Sequence, residues 1–379
     1  MEESFIEFYG KHKISPVSQD ISDLERHYKR RNSLYRHLGF LPSYFKGKKI
    51  LEAGPGSGYN SIHIASLEPF LYHLVEGNST GVEHVNNLFS KFSIRKDNIT
   101  VFKQLIEDFK SSETYDIVIC EGMLSGLVNP ENTLSILKKH VSKDGVLIIT
   151  TVDPISYLAE TLRNLTGKLL VSQCNTLEEK IQLLLPVFTP HLSTLKGMNR
   201  RYDDWIVDNI INPAAIGRLL SIPDAIHVLE SEFEIYGASP NIFTDWRWYK
   251  SIGILDGTIN SIIVEQYWKM AHNFIDHSKL FKNRKVEQNK KLFEMCLKLR
   301  CHIRQIKDES NRLLLEDIVT ILREIINDVN QFSREVGAAL SEICDLIVPY
   351  ELNAEKMKKC KRFATLFGRG QQYLSFTKV

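Results

Sequence analysis

Residues Lys48 to Asn60 read KKILEAGPGSGYN: an apolar run, an acid at Glu52, then glycines at 54, 56 and 58. A glycine-rich turn after a first strand serves two cofactor chemistries, hydride transfer on a nicotinamide dinucleotide and methyl transfer from S-adenosylmethionine. The dinucleotide loop is G-x-G-x-x-G, whose third glycine lets helix and strand pack closely. Here the glycines alternate, and Tyr59 stands where that third glycine would fall. Glu52 lies inside the strand end, two residues before the first glycine. Beside a pyrophosphate it would set two anions face to face in low dielectric. Beside a protonated α-amino group it is favourable, and this comparison decides against the dinucleotide.

Working outward, strand-like runs alternate with helical spacing from about residue 51 to 151. KKILEAG, YHLVEGN, ITVFKQ, YDIVICEG and GVLIITTV read as strands, with SIHIASLEP, EHVNNLFSKF and TLSILKKHV as helices between them. Such alternation means βαβ units and a doubly wound, Rossmann-like parallel sheet of the α/β class. Continuous apolar strands mean that helices cover both faces.

The stretch ILEAGPGSG resembles the first motif of class I S-adenosylmethionine-dependent methyltransferases, an acid-x-G-x-G-x-G signature at the end of the first strand. The resemblance continues in YHLVEGN, which ends on Glu76 followed by Gly77 and Asn78. It implies that Glu76 takes the two ribose hydroxyls, which a carboxylate accepts bidentately. It implies that Glu52 and the backbone of Gly54, Gly56 and Gly58 face the methionine end. It also implies that Glu107 or Asp108, in LIEDF, meets the adenine amino group, and that Glu121, in CEGMLSG, lies beside the methionine part. A seven-stranded methyltransferase sheet follows, closed by a hairpin of two late strands. FEIYGASP and IFTDWRWYKSI are read as that hairpin, turning at Ser239-Pro240-Asn241.

Three parts are expected: an N-terminal helical lid (1–47), a methyltransferase domain (48–255) with a helical insertion at about 155–225, and a C-terminal helical domain (256–379). In the last part, apolar residues at 318, 322, 325, 329, 332, 336, 340, 343 and 347 step mainly by three and four. They predict one long helix, about 50 Å at 1.5 Å per residue. Its stripe suits an intramolecular bundle or a homodimer interface. Beyond it, GRGQQ predicts a tight turn and a chain end that returns to the catalytic domain.

The acceptor is less legible. Methyl transfer mainly requires positioning and, for a hydroxyl or ammonium acceptor, loss of a proton. The leader offers Gln19, Tyr28, Arg31 and Tyr35. For acceptor handling the candidates are Glu121, Asp153 after the fifth strand, and His191 as a general base. His191, Arg200, Arg201, Tyr202, Asp203, Asp204, Trp205 and Asn209 gather within twenty residues. The insertion's DDW and the later TDWRWYK mix acids, cations and indoles, which suits a polar, ring-shaped acceptor and equally a helix packed on a sheet edge by tryptophans. With the leader and FGRGQQYLSF (Phe367 to Phe376), they are similar to methyltransferases of bacterial surface-polysaccharide or flagellar-glycan pathways. That similarity implies a sugar or nucleotide-linked sugar methylated on oxygen or nitrogen.

Composition narrows the field. The chain has 379 residues, 43% hydrophobic and 25% charged, with net charge +2, too balanced by itself for a nucleic-acid or membrane binder. An RNA methyltransferase rests on two basic stretches, KLFKNRKVEQNKK and EKMKKCKRF, both interrupted by acids or apolar residues. Solvated helix faces are the favoured reading, and EGML after the fourth strand is not an N-P-P-[YF] motif. A non-catalytic partner subunit would show a broken cofactor loop, and this loop is intact. No run of about 18 apolar residues offers a membrane span, and the start lacks the apolar core of a secretory signal. Six cysteines without a C-x-x-C pair suit reduced thiols in the cytoplasm and no metal site.

Overall fold

The computed structural model describes residues 4–15, 17–94, 97–242, 248, 250, 258–306, 311–348 and 352–379. Helices α1 (Phe5–His12) and α2 (Leu24–His37) precede β1 (Lys49–Ala53), α3 (Ser61–Ser66), β2 (Leu71–Glu76), α4 (Ser79–Lys91), β3 (Ile99–Lys103), β4 (Tyr115–Cys120), α5 (Pro130–His140) and β5 (Val141–Val152). The insertion contains α6 (Leu158–Leu170), α7 (Leu177–Leu192), α8 (Tyr202–Ile206) and a π-helical turn, Val207–Ile211; α9 (Ile222–Leu229) then leads into β6 (Phe233–Ser239). Helices α10 (Ile259–Met270), α11 (Val286–Gln305), α12 (Arg312–Val329), α13 (Arg334–Ile347), α14 (Ala354–Lys358) and α15 (Arg362–Thr365) precede β7 (Gln371–Lys378).

Among the described residues the strands form a seven-stranded sheet in the order β3-β2-β1-β4-β5-β7-β6. Strands β1 to β5 pair in parallel, and β7 runs antiparallel to both β5 and β6. The expected doubly wound sheet is therefore present, with β6 and β7 as its two late antiparallel strands. The hairpin's second strand, however, is the chain terminus: FGRGQQYLSF supplies β7, and most of IFTDWRWYKSI lies outside the described residues. The last strand of the sheet thus falls within 256–379, so that segment is not all helical. Its helices form an excursion that leaves after β6 and returns.

Alternation along the strands builds two cores. Ile50, Ile117, Ile119 and Ile148 point to one face with Tyr35, Phe45, Ile62, Val85 and Phe89 from α2, α3, α4 and the turn before β1. Leu51, Ala53, Val118, Cys120, Leu147 and Ile149 point to the other. With a side-chain period of two, Glu52 shares the face of Ile50, which aims it at α2 and α3.

The second core runs without a break from the sheet through α6 into α11, α12 and α13. Helix α6 is buried nearly all round, including Arg163, which is fully buried. The guanidinium lies 3.7 Å from the Phe367 ring centroid and donates to the carbonyls of Phe363 and Leu366 at 3.0 and 2.9 Å. Buried cations must be hydrogen-bonded to persist, and here the bonds fasten the segment that leads into β7.

The long helix of the C-terminal region is two helices, α12 and α13, broken at Asn330–Ser333. Ser333 caps α13 by accepting from the Val336 N–H at 3.2 Å. Gly337 lets α13 pass Asn330, since a Cβ there would lie 2.1 Å from Asn330 Oδ1. The apolar stripe keeps its phase because both helices face the same core. Ile318, Leu322, Ile325, Val329, Val336, Leu340, Ile343 and Ile347 are all buried within the chain. The stripe is consumed internally and leaves no basis for a homodimer through it.

Both basic stretches carry ion pairs: Arg284 is bidentate to Asp328 at 2.8 and 2.9 Å, Lys279 pairs with Glu335, and Lys358 with Glu355. Among the described residues no helix is long and apolar enough to cross a membrane.

Candidate active site

The glycine loop turns because three residues adopt positive φ, 68° at Gly54, 58° at Gly56 and 78° at Gly58, a region that favours residues without Cβ. Space adds a second demand. A Cβ on Gly54 would lie 2.8 Å from Met123 Sδ, and one on Gly56 2.9 Å from Val17. Another on Gly77 would lie 2.8 Å from Ile6 and 2.9 Å from Leu105. The groove over the strand ends is thus a cradle of bare backbone, walled by Met123, Leu105 and the leader.

Glu76 ends β2 beside this cradle. Its carboxylate accepts from the Gly56 N–H at 2.8 Å on one oxygen and from the Asn78 N–H at 2.7 Å on the other. Burial pushes its pKa up, against the peptide donors of Asn78, Gly56 and Gly77, which favour the charged form. Gly81 in the first turn of α4 permits the approach, since a Cβ there would lie 3.1 Å from the Glu76 side chain. Asn78 caps α4 by accepting from the Thr80 N–H, so its amide fixes the turn directly after the carboxylate.

Glu52 lies beneath the loop, 4% exposed, and accepts from the Tyr72 hydroxyl on the neighbouring strand. Burial raises its pKa to about 7, helped by nearby Glu121 and opposed by Tyr72 and Arg31. Glu121 itself accepts from Arg31 at 2.7 Å, Asn60 at 3.3 Å and Tyr35 at 3.4 Å. Burial opposes the charge on Arg31, but Glu121 and Tyr35 beside it raise its pKa. Among the described residues, the buried Arg31 Nε has no hydrogen-bond partner. Helical spacing delivers this set: α2 is capped by Asp23, and residues 27, 31 and 35 turn to the same buried face.

A carboxyl held near half-ionisation makes a stability prediction. The folded-state pKa of Glu52, about 7, stands above the ordinary value of 4.5. The folded chain therefore binds the proton more tightly, and stability falls as pH rises from 4.5 through 7. Glu52→Gln is expected to be more stable than wild type at pH 8, by up to about 3 kcal/mol. The difference should vanish near pH 4.5, as read by thermal melts at the two pH values. The same variant should bind S-adenosylmethionine more weakly.

The other expected site residues separate. Glu107 is exposed and accepts from Thr133 of α5 at 2.7 Å, whereas Asp108 has no side-chain partner among the described residues. Asp153 is fully buried and accepts from the Ile155 and Ser156 N–H groups and from the Tyr267 hydroxyl. Burial raises its pKa to about 6, yet every partner belongs to the scaffold. It caps the turn into α6 instead of facing a methyl group.

His191 is likewise buried in α7, within reach of Arg163 and the Met357 carbonyl and edge-on to Phe188 and Phe363. Burial and the Arg163 charge push it down to about 3, so it is a neutral packing residue, not a base. Trp205, 9% exposed and edge-on to Phe367, offers no open ring face. Tyr28 packs against His63 and lies 3.5 Å from the Ile62 carbonyl.

Residues outside the sequence expectation complete the set. Asn60 Oδ1 accepts from Gln19 at 3.2 Å while its amide donates to Glu121, and Gln19 Oε1 accepts from Asn199 at 3.2 Å. Asn60 directly follows the loop, and that position was the available signal; Tyr72 on β2 gave none. The leader is pinned across the loop by Ser15 to Ser57 at 2.8 Å and by Asn78 to the Ile14 carbonyl at 3.0 Å. Among the described residues no cluster of metal-ligating side chains occurs.

The sequence model of a methyltransferase domain matches residues 24–184, from the start of α2 into α7. A ubiquinone biosynthesis O-methyltransferase of Rickettsia akari is 25% identical over 149 residues, 39% of this chain and 53% of that protein. A malonyl-[acyl-carrier protein] O-methyltransferase of Bacillus cereus is 29% identical over 105 residues, 27% of this chain and 37% of that protein. The chain thus spans about half or less of the length of these relatives. Among solved structures, magnesium protoporphyrin IX methyltransferase of Synechocystis with bound S-adenosylhomocysteine overlaps 39% of this chain and 70% of its own, with TM-score 0.32 and 16% identity. Residues 24–184 thus resemble a methyltransferase domain, and the cofactor this likeness implies is S-adenosylmethionine.

Proposed function

We propose that the chain is an S-adenosylmethionine-dependent methyltransferase acting on oxygen or nitrogen of a small polar acceptor, a sugar or nucleotide-linked sugar of a surface glycan. The observation that carries the reading is Glu76, whose carboxylate is oriented beside the glycine loop by the Gly56 and Asn78 N–H groups. It suits a pair of vicinal hydroxyls and would repel a pyrophosphate. Glu76 is assigned the ribose, with Gly77 and Asn78 lining the turn beside it. Asp108 is favoured over Glu107 for the adenine amino group, because Thr133 already holds Glu107. Glu52 and the backbone of Gly54, Gly56 and Gly58 receive the methionine end.

The cofactor supplies an activated methyl carbon, whose bond to sulfur breaks as the bond to the acceptor forms, with the electron pair passing to sulfur. The chain's own residues position and desolvate. Arg31 holds Glu121 in place, and Asn60 carries that constraint to Gln19 of the leader. Apart from Glu121, the residues expected to handle the acceptor, Asp153 and His191, are scaffold, and the acceptor's proton has no assigned base among them. A cytoplasmic site of action belongs to this reading, since S-adenosylmethionine and nucleotide sugars are met there. The alternative is an RNA acceptor, against which stand the ion pairs that partly neutralise both basic stretches.

The test is transfer of label from methyl-tritiated S-adenosylmethionine to a panel of nucleotide sugars and to ribosomal RNA. The expected result is incorporation into a sugar fraction that Glu76→Ala abolishes. Label in RNA alone would replace the acceptor assignment, and label in nothing would contradict the activity.

A further inference from the structure

Outside the cradle, one cleft of about 750 Å³ opens between the leader, the glycine loop and the insertion. It rests on the methyltransferase reading and extends it to the acceptor. Its walls come from segments far apart in sequence: Ser15 and Gln19 of the leader, Tyr59 of the loop, His84 of α4, and Met198 to Asp204 before and within α8. The leader is the wall common to both sites. On one side it is pinned to the loop through Ser15–Ser57 and Gln19–Asn60. On the other it is pinned to the insertion, where Ser18 donates to Asp204, the Asp20 N–H donates to the Asn199 carbonyl at 2.6 Å, and Tyr9 donates to Asp208.

The amides of Asn60 and Gln19 stand between Glu121 and this cleft, each donating in the same direction, from Asn199 through Gln19 and Asn60 to the carboxylate. A group seated against Gln19 is therefore two side chains from the buried carboxylate of the cofactor floor.

The lining selects a chemistry. Lys13, Arg200 and Arg201 are balanced by Asp20, Asp203 and Asp204, three of each sign. Arg201 is bound to Asp203, with Nε to Oδ1 at 3.0 Å, and Arg200 to Asp208 at 3.0 Å. A polyanion finds no net field there, because phosphate affinity depends on clustered, uncompensated cations. What remains is carboxylate and amide oxygen at hydrogen-bonding density, a half-buried tyrosine ring, and Met198. Hydroxyl groups satisfy the first, and the C–H face of a saturated ring packs on the second. Asp204, half-buried, already takes a hydroxyl donor from Ser18, the bond that a ligand hydroxyl would repeat on its free oxygen.

We propose that this cleft is the acceptor site and that it takes a neutral, polyhydroxylated ring, with Asp204 and Tyr59 as its principal contacts and the leader closing one side.

The test is saturation-transfer NMR on full-length protein loaded with S-adenosylhomocysteine, using the neutral rings methyl glucoside, N-acetylglucosamine and methyl mannoside as probes. Wild type is compared with Asp204→Asn, Asp204→Ala and Tyr59→Ala. The expected result is saturation of hexose ring protons for at least one probe. Each variant should weaken it about tenfold or more, as loss of a charge-assisted bond or a packed ring implies. S-adenosylhomocysteine affinity should stay within about threefold in the two Asp204 variants, which lie outside the cradle. No hexose saturation from any probe overturns the ring class. Saturation unchanged in all three variants overturns the site. If S-adenosylhomocysteine itself fails to bind, the methyltransferase reading falls, an outcome distinct from the other two.

Discussion

A chain ending at Gly370 will not form the sheet. β7 is not an edge strand that can be trimmed, because it pairs along seven positions with β5, from Val146 opposite Thr377 to Val152 opposite Gln371, and along its other side with β6. Leu374 and Phe376 are fully buried, and truncating either alone to alanine would cost about 2–5 kcal/mol. The strand also carries polar ties. Gln372 accepts from the Asp153 N–H at 3.0 Å and donates to Ser156 Oγ at 3.1 Å, and Ser375 donates to the Leu38 carbonyl at 2.8 Å. Their loss would leave buried partners unsatisfied. The sum exceeds the roughly 5–15 kcal/mol by which domains are stable. The truncated chain should be insoluble or lack a cooperative melt, whereas removing only Val379, 72% exposed, should change little. A soluble truncation that melts cooperatively and binds S-adenosylmethionine like wild type would contradict the topology.

Glu76→Ala should weaken S-adenosylmethionine binding by about a hundredfold or more. Two hydrogen bonds to an ionised carboxylate are at stake, each about 1.5–3 kcal/mol, and tenfold in affinity is about 1.4 kcal/mol. Removal also releases the Gly56 and Asn78 N–H groups that the carboxylate now organises, which loosens the loop itself. Global stability should change much less, because burial opposes the Glu76 charge in the folded chain. Calorimetry for binding and a thermal melt for stability separate the two effects. A shift within threefold would remove Glu76 from the cofactor site.

The sheet's first five strands were legible because their chemistry is local. A strand buried on both faces must be continuously apolar, and alternation alone places Glu52 opposite Leu51. The glycine spacing and the acid ending β2 were legible for the same reason. What was not legible depends on distant partners. FGRGQQYLSF was expected to come back to the catalytic part, but nothing in it says that it enters between β5 and β6 as a strand. The break at Asn330–Ser333 was hidden because two helices facing one core preserve the apolar phase of a single helix. Asp153 and His191 have the right residue types for proton transfer. Their neighbours, Tyr267, Arg163 and the Met357 carbonyl, come from elsewhere in the chain and turn them into scaffold. Arg31 and Tyr35, read as residues of a lid, are instead buried against Glu121.

The central claim is that the loop from Gly54 to Gly58 holds S-adenosylmethionine and not a dinucleotide. Calorimetric titration of the full-length protein with S-adenosylmethionine and with NADH, beside Glu76→Ala, tests it most directly. The account predicts saturable binding of S-adenosylmethionine, largely lost in the variant, and no heat of binding for NADH. Binding of NADH, or of S-adenosylmethionine with no dependence on Glu76, would contradict it.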